Sequence, residues 1–300
     1  VAADREAQAA ATPAAARGAH DSRRCPRSVL VTGGARGIGR AVAERFARAG
    51  DHVWLTYRSS GAQAHALAAE LTAAGSPAAA FEFDQGNWPS HLDLLASLPG
   101  PVDVLVNNAA VGTKSVERYV DGPAHLRDAA FLQINSVGLL WLIQQVLPAM
   151  IERGYGRIIN IASVGGGVAA FPGFGIADGM SKAAVAYLTR HLAAELCHQP
   201  VTVAAVCPGA VDTDMFRASK LTGLTASQQD SLTANLPQGR MIRPDEIADI
   251  VWWLGTDSAQ VLTGAVIDAS MGLGVHPGLL TGSQRGADAA ALTAPLAGTP

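Results

Sequence analysis

The 300-residue sequence is poor in lysine, with three against nineteen arginines. It is also poor in cysteine. Cys25, Cys197 and Cys207 have spacings that fit neither a metal site nor a disulfide-stapled scaffold. A reduced, cytoplasmic setting is the expectation from so few thiols. No run of Lys and Arg marks a nucleic-acid surface, and the formal net charge is only -3. No apolar stretch approaches the roughly 20 residues that a membrane-spanning helix needs, so no membrane partner is expected. No His, Cys, Asp or Glu cluster suggests a metal. His191 and His198 read as surface or interface residues.

Half of the chain is nonetheless hydrophobic (49%), enough for a full core. The first 26 residues are Ala-rich with scattered Arg and lack the apolar centre of a secretory signal, which predicts a disordered leader over 1–26. The Gly/Ala/Pro/Thr-rich segment 276–300 predicts a flexible tail. Between them, residues 27–275 form one expected domain. Short apolar runs alternate there with amphipathic stretches. Strands are predicted at Ser28–Thr32, His52–Tyr57, Ala78–Phe83, Val102–Asn107, Arg157–Ala162, Val201–Val206 and Ala265–Ala269. Helices are predicted at Arg40–Ala49, Ala62–Ala74, Phe131–Arg153, Met180–Cys197 and Pro244–Leu254, with Trp252 and Trp253 packing in the last. Strands apolar throughout, alternating with helices, imply an α/β fold: a single Rossmann-type, doubly wound parallel sheet with helices on both faces.

The chemistry begins at Thr32-Gly33-Gly34-Ala35-Arg36-Gly37-Ile38-Gly39, between the first strand and the first helix. Glycines allow a tight turn and close backbone approach to a pyrophosphate, and the helix N-terminus offers free N–H groups. Such a loop is a strong dinucleotide signal only in this strand–turn–helix setting. The second strand ends in Thr56-Tyr57-Arg58-Ser59-Ser60, without the acid that would hold a ribose 2′-hydroxyl. Arg58, helped by Arg36, suits a 2′-phosphate, so NADP(H) is the expected cofactor. The alternative is an Arg58 that points to solvent.

These motifs resemble the short-chain dehydrogenase/reductase family, within it the acyl-carrier-protein and polyketide ketoreductases, from about Ser28 to Leu273. Asp84 looks like the family's adenine-contacting acid. Asn107-Asn108-Ala109-Ala110 is close to its NNAG, with Asn107 and Ala109 as cofactor residues. Pro208, Gly209, Val211 and Thr213 resemble the residues that flank the nicotinamide amide. The resemblance further implies Asn135 for a water relay, Ser163 to hold substrate, and Lys182 for the nicotinamide ribose. The family's Tyr lies four residues before this Lys; here that position is Asp178. Beside Lys182 an Asp tends to stay ionised, which would suit hydride transfer to a C=N bond. A desolvated Asp178 could instead serve as the acid for a C=O bond. Gly179 suggests that Asp178 is a helix N-cap.

The resulting expectation is an NADPH-dependent reductase of specialised metabolism acting on C=N or C=O without a Tyr. A cyclase, dehydratase or isomerase with structural NADP(H) is the first alternative, and a non-catalytic sensor or partner subunit the second. By the resemblance, the segment 214–238, with Met215, Phe216, Leu221, Leu224 and Leu232, is expected to form a lid over a bulky, partly apolar substrate; the alternative is an ordinary surface insertion. By resemblance, a homotetramer or dimer is expected.

Overall fold

The computed structural model describes residues 25–171 and 174–276. The leader and tail expected over 1–26 and 276–300 fall, apart from their inner edges, outside the described residues. Seven strands form a parallel sheet: β1 (Ser28–Val31), β2 (His52–Tyr57), β3 (Ala78–Glu82), β4 (Val104–Asn107), β5 (Gly156–Ile161), β6 (Val201–Pro208) and β7 (Val266–Ala269). Their spatial order is β3-β2-β1-β4-β5-β6-β7. The chain leaves β1 toward β2 and β3, then returns to place β4 on the other side of β1. The crevice beyond the carboxyl ends of β1 and β4 is the ligand position of such sheets.

Both faces of the sheet are covered, which is why the strands are apolar at successive positions. In β1, Val29 and Val31 join one core cluster and Leu30 the other, as the two-residue period of a strand requires. The first cluster takes its helical side from α1 (Gly37–Arg48), α2 (Gly61–Ala73) and α10 (Pro244–Leu254). The second takes Leu94 from α3 (Trp88–Ser97) and Leu139, Leu142, Ile143, Val146 and Met150 from α5 (Gly138–Glu152). At the end of the sheet opposite the crevice, Arg27 and Asp51 are 5% and 4% exposed and bonded twice, Nε–Oδ1 at 2.9 Å and Nη2–Oδ2 at 2.5 Å. Arg27 also donates to Gly255 O at the end of α10, so this buried pair ties β1, β2 and α10 together.

The long helix expected at Phe131–Arg153 starts seven residues earlier, as α4 (Ala124–Leu132), and is interrupted by a π-turn (Gln133–Val137) before α5. This continuous run, Ala124–Glu152, reaches the length and apolarity of a membrane span, contrary to the sequence expectation. It is a core helix, with its apolar stripe against the sheet. Helix α3 was not expected, because Pro89 and the mixed polarity of its ten residues mask its period. After a distorted turn, α6 (Val164–Gly167), helix α7 (Ile176–Glu195) begins four residues before Met180. Asp178 is therefore in its first turn, and Gly175, not Asp178, is the N-cap. Trp252 packs on the first cluster under the Arg45 guanidinium, 3.8 Å from the ring centroid, but Trp253 is 42% exposed and does not pack as expected. The segment after β6 forms α8 (Asp214–Phe216), a π-turn (Arg217–Leu221) and α9 (Ala226–Asn235).

Candidate active site

The turn after β1 is shaped for a phosphate. Gly33 and Gly37 have φ of +64° and +54°, a region that disfavours side chains. Gly33 N donates to Thr56 Oγ1 (3.1 Å) and Gly34 N to Thr56 O (2.9 Å), which fixes the turn against the end of β2. Helix α1 has no side-chain cap, so its first N–H groups face the crevice unspent. Asn108 locks the turn from the other side, with Nδ2 donating to Thr32 O (3.0 Å) and Gly33 O (3.1 Å). Thr32 Oγ1 accepts from Asn108 N and Ala109 N.

A cavity of about 1040 Å³ runs from this turn along the carboxyl ends of the strands. Gly33, Arg36, Gly37 and Ile38 line its phosphate end. Tyr57, Arg58, Ser59 and Asp84 line the end beside β2 and β3. Ala109, Pro208, Gly209, Val211 and Thr213 line its middle, and Ser163, Asp178 and Lys182 its far end. Three expected residues, Gly39, Asn107 and Asn135, lie elsewhere. Gly39 stands behind the turn, with its Cα against Gly33 O. Asn107 is 1% exposed inside the sheet, where its Nδ2 donates to Asn160 Oδ1 (2.9 Å). Asn108 is the neighbour that faces the crevice, because successive residues leaving a strand alternate in direction.

At the far end, Ser163 follows β5, and its Oγ caps the next turn by accepting from Gly165 N at 3.2 Å. Asn135 lies in the π-turn and is 1% exposed. Its side chain is committed: Oδ1 accepts from Val111 N (2.8 Å), and Nδ2 donates to Val111 O (3.0 Å) and Ser181 Oγ (3.1 Å). Ser181 Oγ donates in turn to the main-chain oxygen of Asp178 (2.7 Å). Asn135 thus acts on the site by holding the start of α7. Lys182 is 8% exposed, and its Nζ donates to Ile161 O at 3.1 Å. Burial pushes its ammonium pKa down, against the pull of Asp178 and Cys207. Burial also pushes the Cys207 thiol up to about 11, which keeps it neutral beneath the site.

The sequence leaves two readings of Asp178 open, an ionised partner of Lys182 and a desolvated acid. Burial pushes its carboxyl up, and the ammonium groups of Lys182 and Lys220 reverse that only in part. The carboxyl of Asp178 thus holds its proton more readily than a free one does. The Phe174 ring, packed over Gly165 and Gly179, supplies part of the dry surroundings.

Sequence reasoning passed over several residues of the cavity. Lys114 and Lys220 line it together with Lys182, so all three lysines of this arginine-rich chain meet there. Their scarcity in the sequence is the signal that could have singled them out. Lys220 reaches in from the segment after β6, with Nζ 5.9 Å from the Phe174 ring centroid. From that segment Met215, Phe216, Ser219 and Leu232 also line the cavity, whereas Leu221 and Leu224 do not. Tyr119, from the loop after β4, donates its hydroxyl to Asp84 Oδ1 at 2.7 Å and lies under the Arg58 guanidinium.

An uncapped helix start, a turn open to a phosphate and an elongated cavity, together with the sheet order, fit a nicotinamide dinucleotide and define a Rossmann-type dinucleotide-binding domain. The chain belongs to the short-chain dehydrogenase/reductase family: the profile described as enoyl-(acyl carrier protein) reductase matches residues 33–274. It is 34% identical over 250 residues to the acetoacetyl-CoA reductase of Shinella zoogloeoides, covering 82% of this chain and 98% of that one. It is 34% identical over 254 residues to the 3-oxoacyl-(acyl-carrier-protein) reductase MabA of Mycobacterium tuberculosis, covering 83% and 94%. The crystal structure of a variant actinorhodin polyketide ketoreductase with NADPH superposes with a TM-score of 0.74 at 32% identity, covering 83% of this chain and 97% of that one. A reductase of this family is the coarse assignment.

Proposed function

We propose that the protein is an NADPH-dependent carbonyl reductase in which Asp178, standing where the family has its Tyr, delivers the proton. The observation that carries this reading is the placement of a half-buried carboxyl, its pKa pushed up by that burial, in one cavity with Ser163 and Lys182. Arg58 and Arg36 would hold the 2′-phosphate, since the end of β2 offers no acid to a 2′-hydroxyl. The turn at Gly33–Ile38 would hold the pyrophosphate, Asp84 the adenine, and Lys182 the nicotinamide ribose. When bound, the dinucleotide supplies the hydride.

Ser163 Oγ would donate to the carbonyl oxygen and fix its position. The carboxyl of Asp178 would give its proton to that oxygen as the carbon is reduced, and would regain one from solvent through the open end of the cavity. Lys182 favours loss of that proton, because the resulting carboxylate gains an ammonium partner in a dry site. Phe171, Phe174, Met215 and Leu232 give the substrate end apolar walls, and Lys220 adds a positive charge. These suit a bulky, partly apolar oxo compound. A C=N bond remains the second reading, since the same carboxyl could protonate an imine nitrogen, and the substrate panels separate the two.

The test is cofactor oxidation followed at saturating NADPH against panels of 3-oxoacyl thioesters, cyclic diketones and cyclic imines. Turnover of oxo compounds, faster with NADPH than with NADH, is the expected result. Tight NADPH binding with no oxidation by any panel would contradict the reading and favour a non-redox cyclase, dehydratase or isomerase.

A further inference from the structure

At the end of the cavity beside β2 and β3, three residues from three loops form a clasp. Arg58 follows β2, Asp84 follows β3, and Tyr119 comes from the loop after β4. The Arg58 guanidinium lies 4.2 Å from the Tyr119 ring centroid. The Tyr119 hydroxyl donates to Asp84 Oδ1 at 2.7 Å, and the same oxygen accepts from Gly86 N at 3.0 Å. Among the described residues none donates to Asp84 Oδ2, and Asp84 lines the cavity. The clasp depends on a missing side chain: a Cβ at residue 86 would collide with the Tyr119 hydroxyl. Val116, Phe131 and Ile134 form the small apolar cluster on which the ring rests.

A long arginine at a loop tip ordinarily loses side-chain entropy when it binds an anion. Stacked on a ring that is itself held by a carboxylate, Arg58 has lost much of that freedom before any ligand arrives. From this arrangement we infer that Tyr119 is the positioning residue for cofactor choice: it sets Arg58 for a 2′-phosphate and orients Asp84 so that Oδ2 is left for the adenine amino group. This rests on the reading of Arg58 as the 2′-phosphate ligand. Tyr119 touches neither of the reacting centres, and its contribution is to selectivity.

The experiment measures Kd for NADPH, NADH, 2′,5′-ADP and 5′-AMP by calorimetry on the full chain and on Tyr119→Ala, Tyr119→Leu, Tyr119→Phe and Arg58→Ala. Removing the aromatic face is expected to weaken NADPH and 2′,5′-ADP by about tenfold, the scale of a partly desolvated cation–π contact, and NADH and 5′-AMP by less than about threefold. Tyr119→Leu fills the same apolar seat without a π face, so it is expected to lose selectivity like Tyr119→Ala while melting closer to the parent. Tyr119→Phe keeps the stack and is expected to lie between. If Tyr119→Leu and Tyr119→Ala keep the parent ratio of NADPH to NADH affinity while Arg58→Ala collapses it, the inference about Tyr119 is wrong and the NADPH reading stands. If Arg58→Ala also keeps the ratio, both are wrong.

Discussion

Replacing Gly39 by Ala would test the phosphate turn through its least visible part. Gly39 does not line the cavity, and its backbone is helical, so Ala is conformationally acceptable there. The obstacle is contact. An added Cβ would stand 2.5 Å from Asn108 Nδ2 and within collision distance of Gly33 O. Ordinary carbon contacts are about 3.5–4.0 Å, so α1 and the turn must separate by about 1 Å. That movement would break the pair of bonds by which Asn108 Nδ2 holds Thr32 O and Gly33 O. Overpacking of this kind costs about 1–3 kcal/mol. If the strain falls on the turn, NADPH affinity drops by about 5- to 150-fold, at 1.4 kcal/mol for each tenfold. Isothermal titration with NADPH, beside thermal melting, reads both parts of the cost. Gly100→Ala is the control, since its Cβ would meet only Trp54 Cη2 at 3.9 Å. A Gly39→Ala protein that binds NADPH within about twofold of the parent and melts at the parent temperature would refute the argument.

Asp51→Ala leaves the Arg27 guanidinium buried without its carboxylate, a loss of about 3–5 kcal/mol. Melting should fall by about 6–20 °C at 2–4 °C per kcal/mol, and an unchanged midpoint would contradict the assigned role. Asp178 gives a prediction of opposite sign. Its folded-state pKa lies above the unfolded one, so its share of stability is full below the unfolded pKa and is lost as pH rises through the folded pKa. Asp178→Asn should therefore raise the melting temperature at pH 8 and leave it unchanged at pH 4, as scanning calorimetry at both pH values would show. For the same reason kcat/KM for carbonyl reduction should fall as pH rises through the raised pKa of Asp178, and a rate that holds flat to pH 10 would point to a different proton donor.

Much of this architecture was legible because it is local. The bounds of β2 and α10 follow from His52–Tyr57 as an apolar run and from Pro244 at a helix start, and both match. The turn at Gly33–Gly39 is legible from its glycine spacing together with the strand before it and the helix after it. What the sequence concealed depends on contacts between distant segments. Asn107 and Asn108 look equivalent in a line of letters, and only the exit direction of β4 separates the one inside the sheet from the one at the crevice. The start of α7 at Ile176 lies in a glycine-rich stretch with no period, so Asp178 passed for a cap. Its raised pKa comes from burial in the folded chain, opposed by Lys182 and by Lys220, which arrives from beyond β6. Tyr119 is a lone aromatic in a loop until the fold brings Asp84 and Arg58 to it.

The claim at the centre is that the Asp178 carboxyl carries the proton. Single-turnover oxidation of bound NADPH by an oxo substrate, compared between the parent and Asp178→Asn, addresses it directly. The account predicts a fall of about 10²–10⁴ in the rate, the range for loss of a general acid, with NADPH affinity preserved. An Asp178→Asn protein that reduces the same substrate at close to the parent rate would contradict it.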